Sequence, residues 1–234
     1  MINIVFEIDK NRAEDKVQEF FMRSSGLARE GDKFVKMREN ANMIKTEIEE
    51  RVDIKAVLTY FDEFQIIENV LTIQGETFEC NPFSLIKPKE VKGVYLYVIT
   101  AGDYYLDNRE IIDQLYADIW GTSYVDAGRR ILEEYILEDF LDKNSMNGYE
   151  NRVLISNSFG PGFYGMETGD TKKIFNIIDG TKIGVGCRES GMMVPLKSCT
   201  GIYLIVKTGT ELPKIECETC LGSAISCNMC NVRR

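Results

Sequence analysis

Apolar and polar positions along the chain change period several times, and each change marks an element. RAEDKVQEFFMRSSG (residues 12–26) places Val17, Phe20 and Phe21 on one helical face, with Gly26 suited to end the helix. A second, more polar helix follows from Lys33 to Arg51, with a thin stripe of Val35, Met43, Ile44 and Ile48. From Phe64 to Glu79 the spacing shortens to strand-like runs with a turn at Gly75, and Val91–Thr100 reads as a buried strand. Asn108–Phe140 carries two helical patterns divided near Gly121; in the second, Ile131, Leu132, Tyr135 and Ile136 share a face. NRVLIS is a short strand entering the glycine-rich loop NSFGPGFYG. Asp170 or Thr171 then caps a helix with an apolar face of Ile174, Phe175, Ile177 and Ile178, ended at Gly180. KIGVGCRES and TGIYLIVKT read as a β pair around the connection GMMVPLKSC, and beyond Pro213 the chain becomes small and cysteine-rich. Helix and strand mix without strict alternation, which predicts an α+β fold with a mainly antiparallel sheet.

Composition narrows what such a fold can do. The 234 residues are 44% hydrophobic and 28% charged, enough for one good core or two small ones. No stretch approaches the roughly 20 apolar residues of a membrane span, and MINIVFEIDKNRAEDK turns acidic too early for a signal peptide. The expected location is cytoplasmic. There the seven cysteines imply free thiols, metal ligands or redox chemistry rather than disulfides. A net charge of −9 without a basic patch argues against nucleic acid. The chain has no histidine, which excludes histidine triads, histidine ligands and imidazole acid–base catalysis.

CRESGMMVPLKSCTGIY (187–203) is the most informative stretch. Its Glu189, Ser190, Met193, Pro195, Ser198, Thr200, Gly201 and Tyr203 resemble the activation domain of vitamin B12-dependent methionine synthase, a family that includes small stand-alone proteins. SFGPGF resembles the family's Pro-Gly-Tyr loop, VYLYVITAG its strand ending in Thr-Leu-Gly, and DAGRRILEEYI its following helix. The four pieces occur in order and cover about residues 60 to 230. The resemblance implies a domain that docks on a corrinoid-binding methyltransferase module and presents S-adenosylmethionine to the cobalt of a cobalamin carried by that partner. It implies a flavodoxin or ferredoxin as reductant. Binding, orienting and shielding then suffice, without proton transfer. By the same resemblance Ser158, Gly160, Pro161, Gly162, Phe163, Tyr164, Glu189, Ser190, Met193 and Tyr203 are the cofactor-binding residues, and none is catalytic. Three of the matched positions differ in kind: Ser158 stands for an arginine that holds the ligand's carboxylate, Arg130 for an acidic residue, and Phe163 for a tyrosine.

Plainer readings stand beside these. Gly160–Gly162 is able simply to turn the chain, Met192 and Met193 to pack, Cys187 and Cys199 to serve as small apolar residues, and Arg129 and Arg130 to form a solvated helix face. The organisation expected is an N-terminal helical region (1–60) packed on the main domain, a reactivation-domain-like region (61–212) and a cysteine-rich tail (213–234).

In the tail, Cys217-x2-Cys220-x6-Cys227-x2-Cys230 pairs two CxxC turns, the spacing of a four-thiolate metal shell. Zinc would make the site structural, and an iron–sulfur cluster would add one-electron chemistry. The cluster is favoured modestly because corrinoid reactivation consumes an electron. Two alternatives stay open: four reduced thiols on a terminus, and a corrinoid-docking electron-transfer or structural module that binds no S-adenosylmethionine.

Overall fold

A computed structural model describes residues 3–107, 109–144 and 152–212. Its centre is a five-stranded antiparallel sheet of β1 (Asn3–Ile8), β2 (Ile54–Phe61), β6 (Val91–Gly102), β7 (Val153–Ile155) and β10 (Lys197–Lys207), in the order β1-β2-β6-β10-β7. Successive side chains of a strand point to opposite faces. Tyr95, Tyr97, Ile99 and Ala101 of β6 therefore enter one core, and Val94, Leu96 and Val98 the other. A central strand covered on both faces reads as a continuous apolar run, which is why VKGVYLYVIT was recognisable as a strand.

Three helices cover the first face: α1 (Lys10–Ser25), α2 (Asp32–Glu49) and α3 (Ile111–Lys143). Asp9 caps α1 by accepting from the Asn11 amide at 2.9 Å, and Gly26 ends it in the left-handed region at φ 69°. Trp120 of α3 stacks on Phe21 at 3.5 Å and donates its indole N–H to the Ala41 carbonyl at 2.8 Å, joining all three helices. The second face is covered by the meander β3 (Gln65–Ile67), β4 (Val70–Ile73) and β5 (Glu76–Glu79), by α4 (Thr171–Ile177), and by the ribbon of β8 (Gly186–Cys187) and β9 (Met193–Val194). Gln74 and Gly75, at φ 50° and 83°, make the β4–β5 turn where Gly75 suggested one.

Three expectations are corrected. The segment 1–60, read as helical, also supplies β1 and β2 to the central sheet. The strands read as a pair do not pair with each other: β8 pairs with β9, whereas β10 lies between β6 and β7. The reversal at 188–192, where the Arg188 amide bonds the Met192 carbonyl and the Gly191 amide the Arg188 carbonyl, turns the chain back before β10 begins. Finally, Gly121 does not divide two helices but lies inside the single helix α3. A Cβ there would stand 2.4 Å from Cδ2 of Tyr104 and 2.8 Å from Cγ of Lys197, so the glycine admits the Tyr104 ring against the helix. Gly121→Ala should therefore destabilise the protein by about 1–3 kcal/mol, despite alanine's better helix propensity. Denaturant unfolding would show it; a stabilised variant would mean that the ring yields freely.

Among the described residues no helix is long and apolar enough to cross a membrane. The tail cysteines Cys217, Cys220, Cys227 and Cys230 lie outside the described residues.

Candidate functional site

The glycine-rich loop is tied to β10. Phe159 and Ile202 exchange backbone hydrogen bonds at 2.9 and 2.7 Å, and Gly160 follows with no room for a side chain, since a Cβ would lie 2.8 Å from the Thr200 carbonyl oxygen. The chain then coils on itself. The Phe163 amide bonds the Gly160 carbonyl at 3.0 Å and the Gly162 amide the Met166 carbonyl at 2.9 Å. Gly162 and Tyr164 adopt positive φ, 88° and 57°. Tyr164 turns its ring onto Phe159, 5.5 Å between centroids, while Phe163 points outward and is 63% exposed.

Facing this loop is the reversal that carries β9. Between them runs an open groove of about 350 Å³, lined by Pro161, Thr168, Thr171, Ser190, Met192, Met193, Leu196 and Ser198. Such a volume lies at the lower end of the roughly 300–1,000 Å³ usual for small-molecule sites. The walls carry hydroxyls and apolar side chains but no charge. Thr171 donates to the Thr168 carbonyl at 2.9 Å, and Ser198 donates to the Pro195 carbonyl at 2.8 Å, within 2.9 Å of the Thr100 hydroxyl. The outer rim is apolar: Met192 is 41% and Leu196 57% exposed. Lys197, the next residue, anchors that rim to α3 through Asp118 at 2.5 Å and Thr122 at 3.2 Å.

Pro161, Ser190 and Met193 thus meet in the groove, with Gly160 and Gly162 shaping its loop, whereas Phe163 on the same loop is exposed and does not line it. Tyr164 packs inward. Met193 is half-buried and packs against the second core, so Met192, not Met193, is the freely exposed methionine of the pair. Glu189 lies at the solvent surface, where it meets Lys172 at 3.4 Å. Two residues expected at the site are elsewhere. Tyr203 is completely buried under α3, donating to Glu133 at 3.1 Å, because strand alternation sends it to the helix face while Ile202 and Leu204 take the other. Ser158 also sits on the helix side, 2.7 Å from the Tyr97 hydroxyl. The groove-lining Thr168, Thr171, Met192, Leu196 and Ser198 were not assigned from the sequence; no local pattern announces the threonines, which reach the site through long-range packing.

The described thiols are poor nucleophiles. Burial pushes the Cys80 thiol up to about 12 and the Cys199 thiol up to about 11, and it raises Cys187 as well, against the opposing charge of Lys172. Iodoacetamide at pH 8 should label Cys187 in the native protein and leave Cys80 and Cys199 unmodified, as mass spectrometry would read. Among the described residues no three His, Cys, Asp or Glu side chains converge as metal ligands.

No family model matches the sequence, and no curated protein matches it either. The crystal structure of the MetH reactivation domain bound to AdoHcy superposes with a TM-score of 0.67 over 91% of this chain and 81% of that one, at 12% identity. The two share a fold. At that identity the likeness to the MetH domain speaks for architecture, and it agrees with the α+β, mainly antiparallel arrangement read from the sequence.

Proposed function

We propose that this chain is an accessory protein for the reductive reactivation of a corrinoid methyltransferase such as methionine synthase. The observation that carries the reading is the groove, built in a reactivation-domain fold from the two segments, 158–164 and 187–203, that resemble the family's motifs. On this reading the apolar rim of Phe163, Met192 and Leu196 docks against the cobalamin-loaded partner, and the groove holds S-adenosylmethionine. The methyl group, the cobalt and the electron all belong to ligand, partner and reductant, the last a flavodoxin or ferredoxin. This chain's own residues bind and shield: Ser190, Ser198 and the threonines offer hydroxyls, while the methionines and Leu196 exclude water. The tail's four cysteines would hold an iron–sulfur cluster or zinc, a reading that rests on their spacing alone.

Calorimetry with AdoHcy and S-adenosylmethionine, with and without a cobalamin-loaded methyltransferase, tests the proposal. Saturable binding of both ligands and a stable complex support it; no binding to any corrinoid partner sinks it. The uncharged groove favours one rival, a corrinoid-docking module for electron transfer or structure that takes no S-adenosylmethionine, because a zwitterionic ligand desolvated there would lack charged partners. Partner binding without nucleoside binding selects that rival.

A further inference from the structure

A second cavity lies at the other end of α4. The groove touches the start of that helix at Thr168 and Thr171; the cavity lies where its last residues and the loop after them meet β1, the outer strand of the central sheet. It holds about 380 Å³ and is lined by Asn3, Phe175, Asn176, Asp179, Val185 and Cys187, among others, and shares no residue with the groove. Its shape is built into the loop. The Val185 amide bonds the Gly180 carbonyl at 3.0 Å and the Gly184 amide the Thr181 carbonyl at 3.0 Å, closing a single 3-10 turn over Gly180–Ile183. Gly180 lets the Phe175 ring in: a Cβ there would lie 2.6 Å from Cε1 of Phe175 and 2.8 Å from the Val185 carbonyl oxygen. Ile183 and Val185 are buried in the second core, so the loop is pinned from beneath and the cavity is formed before any ligand arrives.

The polar groups around it favour a cation. Asp179 caps the turn, accepting from the Thr181 amide at 3.0 Å and the Thr181 hydroxyl at 2.5 Å. Both bonds go to Oδ1, which leaves Oδ2 for a ligand. The bonds from Thr181, with Lys182 a lesser influence, hold the Asp179 carboxyl below the usual aspartate range, so it is ionised at neutral pH. Asn176 donates its amide nitrogen to Glu76 at 2.9 Å, and its own oxygen remains an acceptor. Burial keeps Cys187 a neutral thiol. Asp179 is therefore the one ionised side chain in the lining.

We propose that this cavity binds an organic ammonium, a protonated primary amine carried on an apolar body. The ammonium donates to Asp179 and Asn176, while its apolar body lies against Phe175, Ile177 and Val185. An aromatic ring beside a cation adds to the attraction. A metal ion fits the cavity worse, because hard cations take six or so oxygen ligands, and among the described residues no three ligating side chains converge. An anion would meet Asp179. The site does not depend on the reactivation role proposed above, since it uses none of the groove's residues.

The test titrates benzylammonium chloride into the intact protein, with benzyl alcohol as the uncharged counterpart, and follows the backbone amide signals of Gly180, Thr181, Gly186 and Cys187 by NMR. Saturable shifts at these residues are expected with the amine, and binding of the alcohol should be weaker by about tenfold or more. Asp179→Asn keeps an oxygen to cap the turn and removes the charge, so it should weaken the amine about tenfold or more and leave the alcohol unchanged. Absence of saturable shifts overturns the site, and shifts centred instead on Thr168 and Met192 overturn its location. Equal binding of amine and alcohol, or amine binding that survives in a folded Asp179→Asn protein, overturns recognition of the charge. The comparison of amine with alcohol in the unaltered protein decides that point even where the variant does not fold.

Discussion

Replacing both Met192 and Leu196 with glutamate should abolish reactivation of a corrinoid partner while changing the stability of the chain by less than about 1 kcal/mol. The two side chains stand at the outer rim of the groove, 41% and 57% exposed, so charging them costs little in the free protein. In a complex that buries the rim, each carboxylate would be desolvated against a flat apolar face. An unpaired buried charge costs at least several kcal/mol, which is a loss of two or more orders of magnitude in affinity. Met43→Glu is the control: Met43 is 64% exposed on α2, in the helical layer away from the groove, and receives the same charge. Equal loss of activity in the control, or retained activity in the rim variant, would show that docking uses another surface. Met193 is the wrong position for this test, because its contact with the core would mix stability into the readout.

How far this surface could be read from the sequence depended on the range of the interactions involved. β6 was legible because a strand covered on both sides needs no partner to declare itself apolar, whereas β1, NIVFEI, is a short edge strand with only Ile8 fully buried. Helix α3 was legible as helix but not as one helix. Buried residues surround it on several sides, so no single stripe marks its face, and Gly121 suggested a break where it actually admits Tyr104. The loop and the reversal around the groove were found because turn chemistry is local: glycines at positive φ stand at 162, 165 and 191. Placement on one side of the sheet or the other was not local. Tyr203 shares a motif with Met193 yet lies on the opposite face of the sheet, a consequence of β10 pairing with β6 rather than with β8. The same pairing overturned the reading of Arg129 as a solvated side chain. The Arg129 side chain is only 20% exposed, within electrostatic reach of Tyr97, Tyr203 and Cys199.

The tail supplies the second large effect. Purified without oxygen, the protein should carry one metal centre bound by Cys217, Cys220, Cys227 and Cys230, and Cys220→Ser should release it while leaving the thermal unfolding of the folded domain in place. The two halves of this expectation have different grounds. Release follows from ligand count, because a tetrathiolate shell reduced to three thiolates loses one of four strong bonds and neutralises less of the metal's charge. Survival of the fold is expected because, among the described residues, two cores already close around the central sheet. Visible absorption with metal and sulfide analysis identifies the centre. A brown protein containing iron and sulfide supports a role in delivering the electron that reactivation consumes; a colourless protein with one zinc limits the tail to a structural role; absence of any metal returns the four cysteines to free thiols. A domain that melted with the metal's release would mean that the tail is part of the core's support, and that the sheet and helices described above do not stand alone.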